Sequence, residues 1–464
     1  MEKNVRQNLR PFGMRDKIGY MFGDFGNDFT FILASMFLMK FYTDVMGISA
    51  AAVGLMMMLS RIVDAFTDIG MGQLVDRSPS GKDGKFKQWM RRFMGPVALA
   101  SFLMYAVWFK DMSMGFKVFW MYFTYLLWGS VCYTGINIPY GSMASAITDS
   151  PNQRTELSSA RSIGATLAQL SIGVIAPIFV YYTDKAGNVI FDGHKMMIFS
   201  LICSVLALIC YTICIKFTTE RVQIKQNESD SSVFDIFKAM LTSKSLIGLI
   251  VCAILLLLAL LTMNGMANYI YPSYFKNAGA ISVNTMINSA ITFALSLVIP
   301  NFAGKIGKKE VSAIGCAVAG IVLILAYFMK IKSLGLFYVV MAIATAGLAS
   351  FNIITWAMII DVIDDIEVKT GNRDDGTIYG SYSFARKLGQ AASSGLTGAL
   401  LSMVGYTTAT AVNPQIAQGI YNIATLFPGV VFIVLSVSLT FIYPLSKKVV
   451  DNNSKILKER RENK

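Results

Sequence analysis

Long apolar runs alternate with short polar, often basic, stretches along nearly the whole chain. Runs of spanning length, about 20 residues, fall near 19–43, 48–74, 93–110, 115–140, 158–182, 196–216, 245–271, 282–303, 311–329, 334–364, 378–404 and 422–444. The pattern predicts twelve transmembrane helices, an all-α polytopic membrane protein. The longest polar connection, FTTERVQIKQNESDSSVFDIFKAM from Phe217 to Met240, lies between the sixth and seventh runs. It divides the chain into an N-terminal six-helix bundle (1–216), a central loop (217–244), a C-terminal six-helix bundle (245–446) and a basic tail (447–464). Turns rich in glycine and lysine follow the second run of each half, GKDGKFK at 81–87 and AGKIGKKE at 303–310. They are a faint internal repeat of the kind a 6+6 architecture carries.

Composition agrees with a membrane solvent. Of 464 residues 54% are hydrophobic and only 15% charged, with mean hydropathy +0.54. The first run begins about 18 residues in and is too long for a signal-peptide core, so it is expected to be retained. Most Lys and Arg fall in the N-tail, the even-numbered loops and the C-tail. By the positive-inside rule those segments, including the central loop and both termini, are expected on the cytoplasmic side of a cell (inner, plasma) membrane. The same asymmetry accounts for the net charge of +13, concentrated in RRFMG, GKIGKKE and SKKVVDNNSKILKERRENK. It therefore argues for the lipid bilayer and against a nucleic-acid partner.

Enzyme chemistry finds few parts. The lone histidine, His194, is expected in an outer loop, FDGHKMM, so neither a Ser-His-Asp triad nor a multi-histidine metal site can be assembled. The six cysteines all lie in apolar runs without paired spacing, as small buried thiols do. A non-enzymatic protein with no resident cofactor is expected.

The informative residues are charges placed inside the runs. In SRIVDAFTD, Asp64 and Asp68 stand four apart and Arg61 three before Asp64. A charge at the centre of a membrane helix costs about 2.5–3.5 kcal/mol on the insertion scale, so three within eight residues point to a cavity or to one another. Residues i and i+4 share a helix face. Two carboxylates on one face suit a hard cation, Na⁺ through oxygen ligation or H⁺ by protonation, with Thr67 and Ser60 adding oxygens nearby. A buried ion-pair network is the alternative for the same residues. GYMFGDFGNDFTF repeats the spacing with Asp24 and Asp28, and its glycines allow a ligand or another backbone to come close. In WGSVCYTGINIPYGS, Thr134 and Asn137 precede Pro139, which should kink the helix. Arg161 is expected at the start of helix five, acidic residues end helix ten, and Arg386 and Lys387 lie in helix eleven. Sugar recognition needs acceptors for adjacent hydroxyls and a flat apolar face; Asp28, Asn137, Tyr133, Tyr140 and Trp356 offer both, although plain packing is the commoner role for each aromatic.

GYMFGDFGNDF, FYTDVMGIS, RIVDAFTD, GKFKQW, NIPYGS, DVIDD followed by KTGNRDDG, and YSFARKLG together resemble the glycoside–pentoside–hexuronide:cation symporters of the major facilitator superfamily, the melibiose permease-like carriers. The likeness runs from about Gly19 to Tyr443. It implies the major facilitator fold, a small-molecule sugar substrate, a coupling cation and a monomer. It implies Asp64 and Asp68 as cation carboxylates completed by Thr134, and Asp28 as the sugar-binding acid of helix one with Arg161 beside it; Asp24 is the next candidate for the sugar site. Lys387 falls near both sites, and Asp361, Asp364 and Arg373 fall where gating contacts are expected. Three positions depart from melibiose permease: Asn137 replaces a second sugar-binding acid, Gly141 a tryptophan, and Thr67 an asparagine. NIPYGS is closer to the pentoside and glucuronide members. The expected activity is inward symport of a glycoside, pentoside or hexuronide with Na⁺ or H⁺ by alternating access. The alternatives are a relative carrying an amphipathic or lipid-like solute, and a membrane sensor on the same scaffold.

Overall fold

The computed structural model describes residues 10–79, 81, 84–222, 243–371 and 375–462. Helices α1 (Met14–Asp44), α2 (Ala50–Arg77), α3 (Phe86–Leu103), α4, α5 (Pro151–Val180) and α6 (Gly193–Phe217) form the first of two compact units, which also takes in residues 406–409. Helix α4 is continuous through three segments: α-helical Met114–Leu126, π-helical Leu127–Tyr133 and α-helical Thr134–Ile147. The second unit holds α7 (Lys244–Ser273), α8 (Gly279–Ile306), α9 (Lys308–Met329), α10 (Leu334–Thr370), α11 (Asp375–Met403), α12 (Pro414–Phe441) and a terminal helix α13 (Lys447–Glu462). Eight of the described helices are long and apolar enough to cross a membrane by composition alone. Helices α1, α3, α4 and α11 are not among these eight; α1 carries Asp24 and Asp28 within its length, and α4 is interrupted by the π segment.

The boundaries depart from the apolar runs where polar residues are helical. Helix α5 starts at Pro151, which fills the first helical position where its missing N–H costs nothing, so Arg161 sits well inside the helix instead of at its start. Helix α3 begins at Phe86, and the chain breaks at Met104 into a short 3₁₀ turn, Val107–Phe109. Between α5 and α6 an antiparallel hairpin pairs β1 (Tyr181–Thr183) with β2 (Val189–Phe191). The Asp184 carboxylate closes the turn by accepting from the Ala186 and Asn188 amides, and these bonds hold its carboxyl below the usual range. Asp192 caps α6 through the Lys195 amide, so His194 lies in the first turn of a helix and not in a loop.

Inside the first unit α1 packs mainly on α5 and α6. Glycines allow the close approach: a Cβ at Gly23 would collide with the Tyr140 ring of α4 and Cys214 of α6, one at Gly26 would press on Cys210 and Tyr211 of α6, and one at Gly164 of α5 would meet the Met21 carbonyl of α1. The close approach the sequence suggested is therefore to other helices, not to a ligand. In the second unit α9 packs between α10 and α12, and α7 against α11 and α12. All six cysteines are buried free thiols.

The faint repeat has a structural counterpart. In each unit the turn before the third helix contains a glycine at positive φ, Gly84 (120°) and Gly307 (127°), with a carboxylate seated where a Cβ would stand. In the first unit the carboxylate is Glu220, just past α6, which accepts from the Lys85, Phe86 and Lys87 amides at 2.7, 3.0 and 2.9 Å. In the second it is Glu310, which accepts from the Lys447 amide just past α12. The start of the central loop is pinned further by Arg221, which donates to the fully buried Asp16 (2.9 Å) and to the Arg10 and Ile147 carbonyls, while Arg10 also pairs with Asp16.

Candidate functional site: a polar seam inside the first unit

Helices α2 and α4 meet at two matched rungs. The Ser130 hydroxyl donates to Asp64 Oδ1 at 2.6 Å, and the Thr134 hydroxyl donates to Asp68 Oδ1 at 2.7 Å. The four-residue spacing on α2 is answered by a four-residue spacing on α4, as two helices running side by side in the same direction require. Asp64 is 4% and Ser130 7% exposed. Arg61 donates from Nη1 to Asp64 Oδ2 at 3.2 Å and lies over the Phe31 ring at 4.9 Å. The carboxylate cluster and the ion pair, posed as alternatives by the sequence, are thus one assembly. Thr67 is spent differently: its hydroxyl proton goes back to the Asp64 carbonyl at 3.3 Å, and Ser60 turns to the Met56 sulfur. The irregularity of α4 lies upstream of Pro139, in the π segment that ends at Tyr133. There the Thr134 amide and hydroxyl both converge on the Gly129 carbonyl, five residues back.

A second cluster joins α1, α4, α5 and α6. Arg161 donates from Nε to Asp24 Oδ1 at 2.9 Å, although its side chain remains 44% exposed. Asn27 donates to Asn137 Oδ1 at 3.3 Å and accepts from the Tyr211 hydroxyl at 3.0 Å. Asp28, half-buried, receives no hydrogen bond or ion pair from any described residue, while Asp24 and Arg161 lie close enough to act on it through space. Sequence placed Arg161 beside Asp28; the structure gives its direct bond to Asp24. Tyr140 is fully buried, stacked on Tyr20 at 4.6 Å, and its hydroxyl donates to the Tyr20 carbonyl, the packing role read from sequence as the commoner one. Tyr133, half-buried, packs on Phe31 and Trp128. A side chain at Gly141 would meet open space. Asn27, Ser130 and Tyr211 were missed, and the signal available for them was only that polar groups buried in membrane helices seek partners.

The remaining candidates belong to the second unit. Trp356 is 45% exposed, with its ring edge-on to Tyr382 and the Arg386 guanidinium at 5.4 Å. Lys387 follows Arg386 on α11. Asp361 accepts from Lys308 Nζ at 2.6 Å, joining α10 to the start of α9, and Asp364 lies one turn on. Arg373 falls outside the described residues. Asp365, not singled out from sequence, accepts from Ser245, Lys369 and Asn453 and so ties α7 and α13 to α10.

The fold and the buried polar seam define a multi-pass helical membrane transporter, not an enzyme. Residues 19–447 match the profile described as MFS/sugar transport protein, and the chain belongs to that family, as the symporter motifs implied. It is 29% identical over 453 residues to the glucuronide carrier protein homolog of Escherichia coli (strain K12), covering 95% of this chain and 96% of that one. It is also 29% identical to the isoprimeverose transporter of Lactiplantibacillus pentosus, over 94% of this chain and 90% of that one. Among solved structures it superposes with a TM-score of 0.67 on an inward-facing, unoccupied bacterial homolog of the human lysosomal transporter Spinster. That match is 12% identical and covers 96% and 99% of the two chains, so it shows the fold alone.

Proposed function

We propose that the protein imports a hexuronide, a sugar bearing a carboxylate or its β-glycoside, together with one monovalent cation by alternating access across the plasma membrane, with both termini cytoplasmic. The observation that carries the reading is an Asp28 bonded by no described residue, with Arg161 close by and bonded directly to Asp24 instead. Asp28 is a membrane-embedded acid with no described hydrogen-bond or ion-pair partner, and Arg161 is held by a single nitrogen with nearly half its side chain exposed. A membrane-embedded carboxylate without a partner is expensive unless a ligand supplies one. Asp28 accepts sugar hydroxyls, and the terminal nitrogens of Arg161 meet the substrate carboxylate, for which the planar guanidinium offers two parallel donors. Asp24 acts as a positioning residue that orients Arg161. Asn137 contributes an amide in place of a second acid, so a uronate confronts one fewer negative charge. Tyr133 supplies an apolar edge; Trp356 and Lys387 are sugar-site candidates on the family resemblance alone. Asp64, Asp68 and Thr134 hold the cation, Na⁺ in our reading, as cargo. Asp361, Asp364 and Arg373 act in gating. The glucuronide relative supports this substrate class, and the isoprimeverose relative supports a second one, a pentoside bound through the neutral Asn27–Asn137 pair.

Competition of labelled 4-nitrophenyl β-D-glucuronide uptake by unlabelled glucuronides, xylosides and galactosides at matched concentration tests the order. Glucuronides are expected to compete best. Xylosides leading would transfer the site to pentosides, and galactosides leading would refute the argument from Asn137.

A further inference from the structure

We propose that Ser130, in the π-helical segment of α4, is a further ligand of the coupling cation and sets its affinity without touching the sugar. The inference rests on the reading of Asp64 and Asp68 as the cation site. Nothing in the sequence marked this serine: it lies within an apolar run, four residues before the threonine that the family resemblance assigns.

Geometry carries the argument. The two hydroxyl-to-carboxylate rungs, Ser130 to Asp64 at 2.6 Å and Thr134 to Asp68 at 2.7 Å, are alike in length and are offset by the same four residues on each helix. A serine or threonine hydroxyl has one proton and two lone pairs. Donating the proton to a carboxylate leaves both lone pairs available, so the same hydroxyl can also present an oxygen to a hard cation beside the rung. Ser130 therefore stands to Asp64 as Thr134 stands to Asp68. If Thr134 is a ligand, Ser130 has the same chemistry in the same setting and is nine-tenths buried.

The π segment explains why α4 can present both. Its backbone bonds close five residues apart, as where the Thr134 amide meets the Gly129 carbonyl, and the wider turn alters which residues stack on one face. Gly129 lets that backbone approach the acid: a Cβ there would stand 3.3 Å from Asp64 Oδ1. Interruptions of this kind in membrane helices are tolerated where they line a site. Arg61 occupies the other oxygen of Asp64, so the Ser130 side of the carboxylate is where a cation has an oxygen neighbour.

Purified protein in detergent is titrated with NaCl against choline chloride at constant ionic strength, reading Tm without any sugar present. Ser130→Ala is expected to raise the NaCl concentration for half-maximal Tm shift at least fivefold, and Ser130→Thr to return it to within twofold of wild type. Asp68→Cys is expected to abolish the shift. If Ser130→Ala leaves the half-maximal concentration unchanged while Asp68→Cys abolishes the shift, Ser130 is only a helix-to-helix hydrogen bond and the inference fails alone. If the shift survives in Asp68→Cys, or is absent from wild type, the cation-site reading fails and takes the inference with it.

Discussion

At the residue scale, the polar groups inside the first unit divide into those already satisfied and those left for a ligand. Asp24 and Asp28 are indistinguishable by type and spacing, yet one carries the Arg161 bond and the other carries none from a described residue. An acceptor bond from an ionised acid contributes about 1.5–3 kcal/mol, and tenfold in affinity is about 1.4 kcal/mol. Asp28→Asn is therefore expected to weaken glucuronide binding at least tenfold while the NaCl-dependent Tm shift stays within twofold of wild type. Isothermal titration with 4-nitrophenyl β-D-glucuronide at saturating NaCl checks this, and unchanged affinity would move the sugar site away from Asp28. The spacing of Asp64 and Asp68 was legible from sequence because helical periodicity is local. The partners Ser130 and Asn27 were not, because which helix faces which is decided by packing.

At the element scale, the capping of α3 is decided far from the helix itself. Its N-terminus has no capping side chain of its own; the first orphan amides are met by Glu220, about 135 residues further along the chain. A carboxylate suits that position because the helix dipole is positive there. Burial nevertheless pushes the Glu220 carboxyl above its usual value near 4.5, against the pull of the Lys87, Lys85 and Phe86 amides. The folded state then holds this proton more tightly than the unfolded chain, so this group's contribution to stability rises as pH falls from above the folded value towards 4.5. Glu220→Gln is expected to remove that slope. In Tm profiles between pH 5 and 8 the wild type should gain on the variant as pH falls; a gap that widens with rising pH would contradict the assignment. Helix ends were the weakest part of the sequence reading for the same reason. Hydropathy reports apolar content, whereas Pro151 and Glu220 start helices through backbone hydrogen-bond chemistry.

At the scale of the whole molecule, symport requires the two ligands to be coupled, and coupling between binding sites is reciprocal. The factor by which saturating NaCl tightens 4-nitrophenyl β-D-glucuronide should equal the factor by which the glucuronide tightens Na⁺, and we expect it to be at least about fivefold, the lower end of measured couplings. Two titrations of the same preparation, each at fixed saturating second ligand, measure both factors. Independence of the two ligands would rule out the cation organising the sugar site. Counterflow in proteoliposomes separates a carrier from a sensor on this scaffold, since only a carrier exchanges labelled for unlabelled sugar across the bilayer.

Sequence alone determined the class, the count of spanning helices and the position of the embedded charges. Each follows from a local rule: apolar length against bilayer thickness, the period of a helix, and the cost of charge in hydrocarbon. It also carried the repeat, faintly, as two glycine-lysine turns whose shared positive φ and carboxylate became visible only in three dimensions. What tertiary structure decided was partnership. Arg161 bonds Asp24 and not Asp28, while Tyr140 stacks on Tyr20 and Ser130 joins Asp64, each across two helices. Side chains 66 to 137 positions apart meet through the packing of α1, α2, α4 and α5, a long-range property that no local pattern encodes.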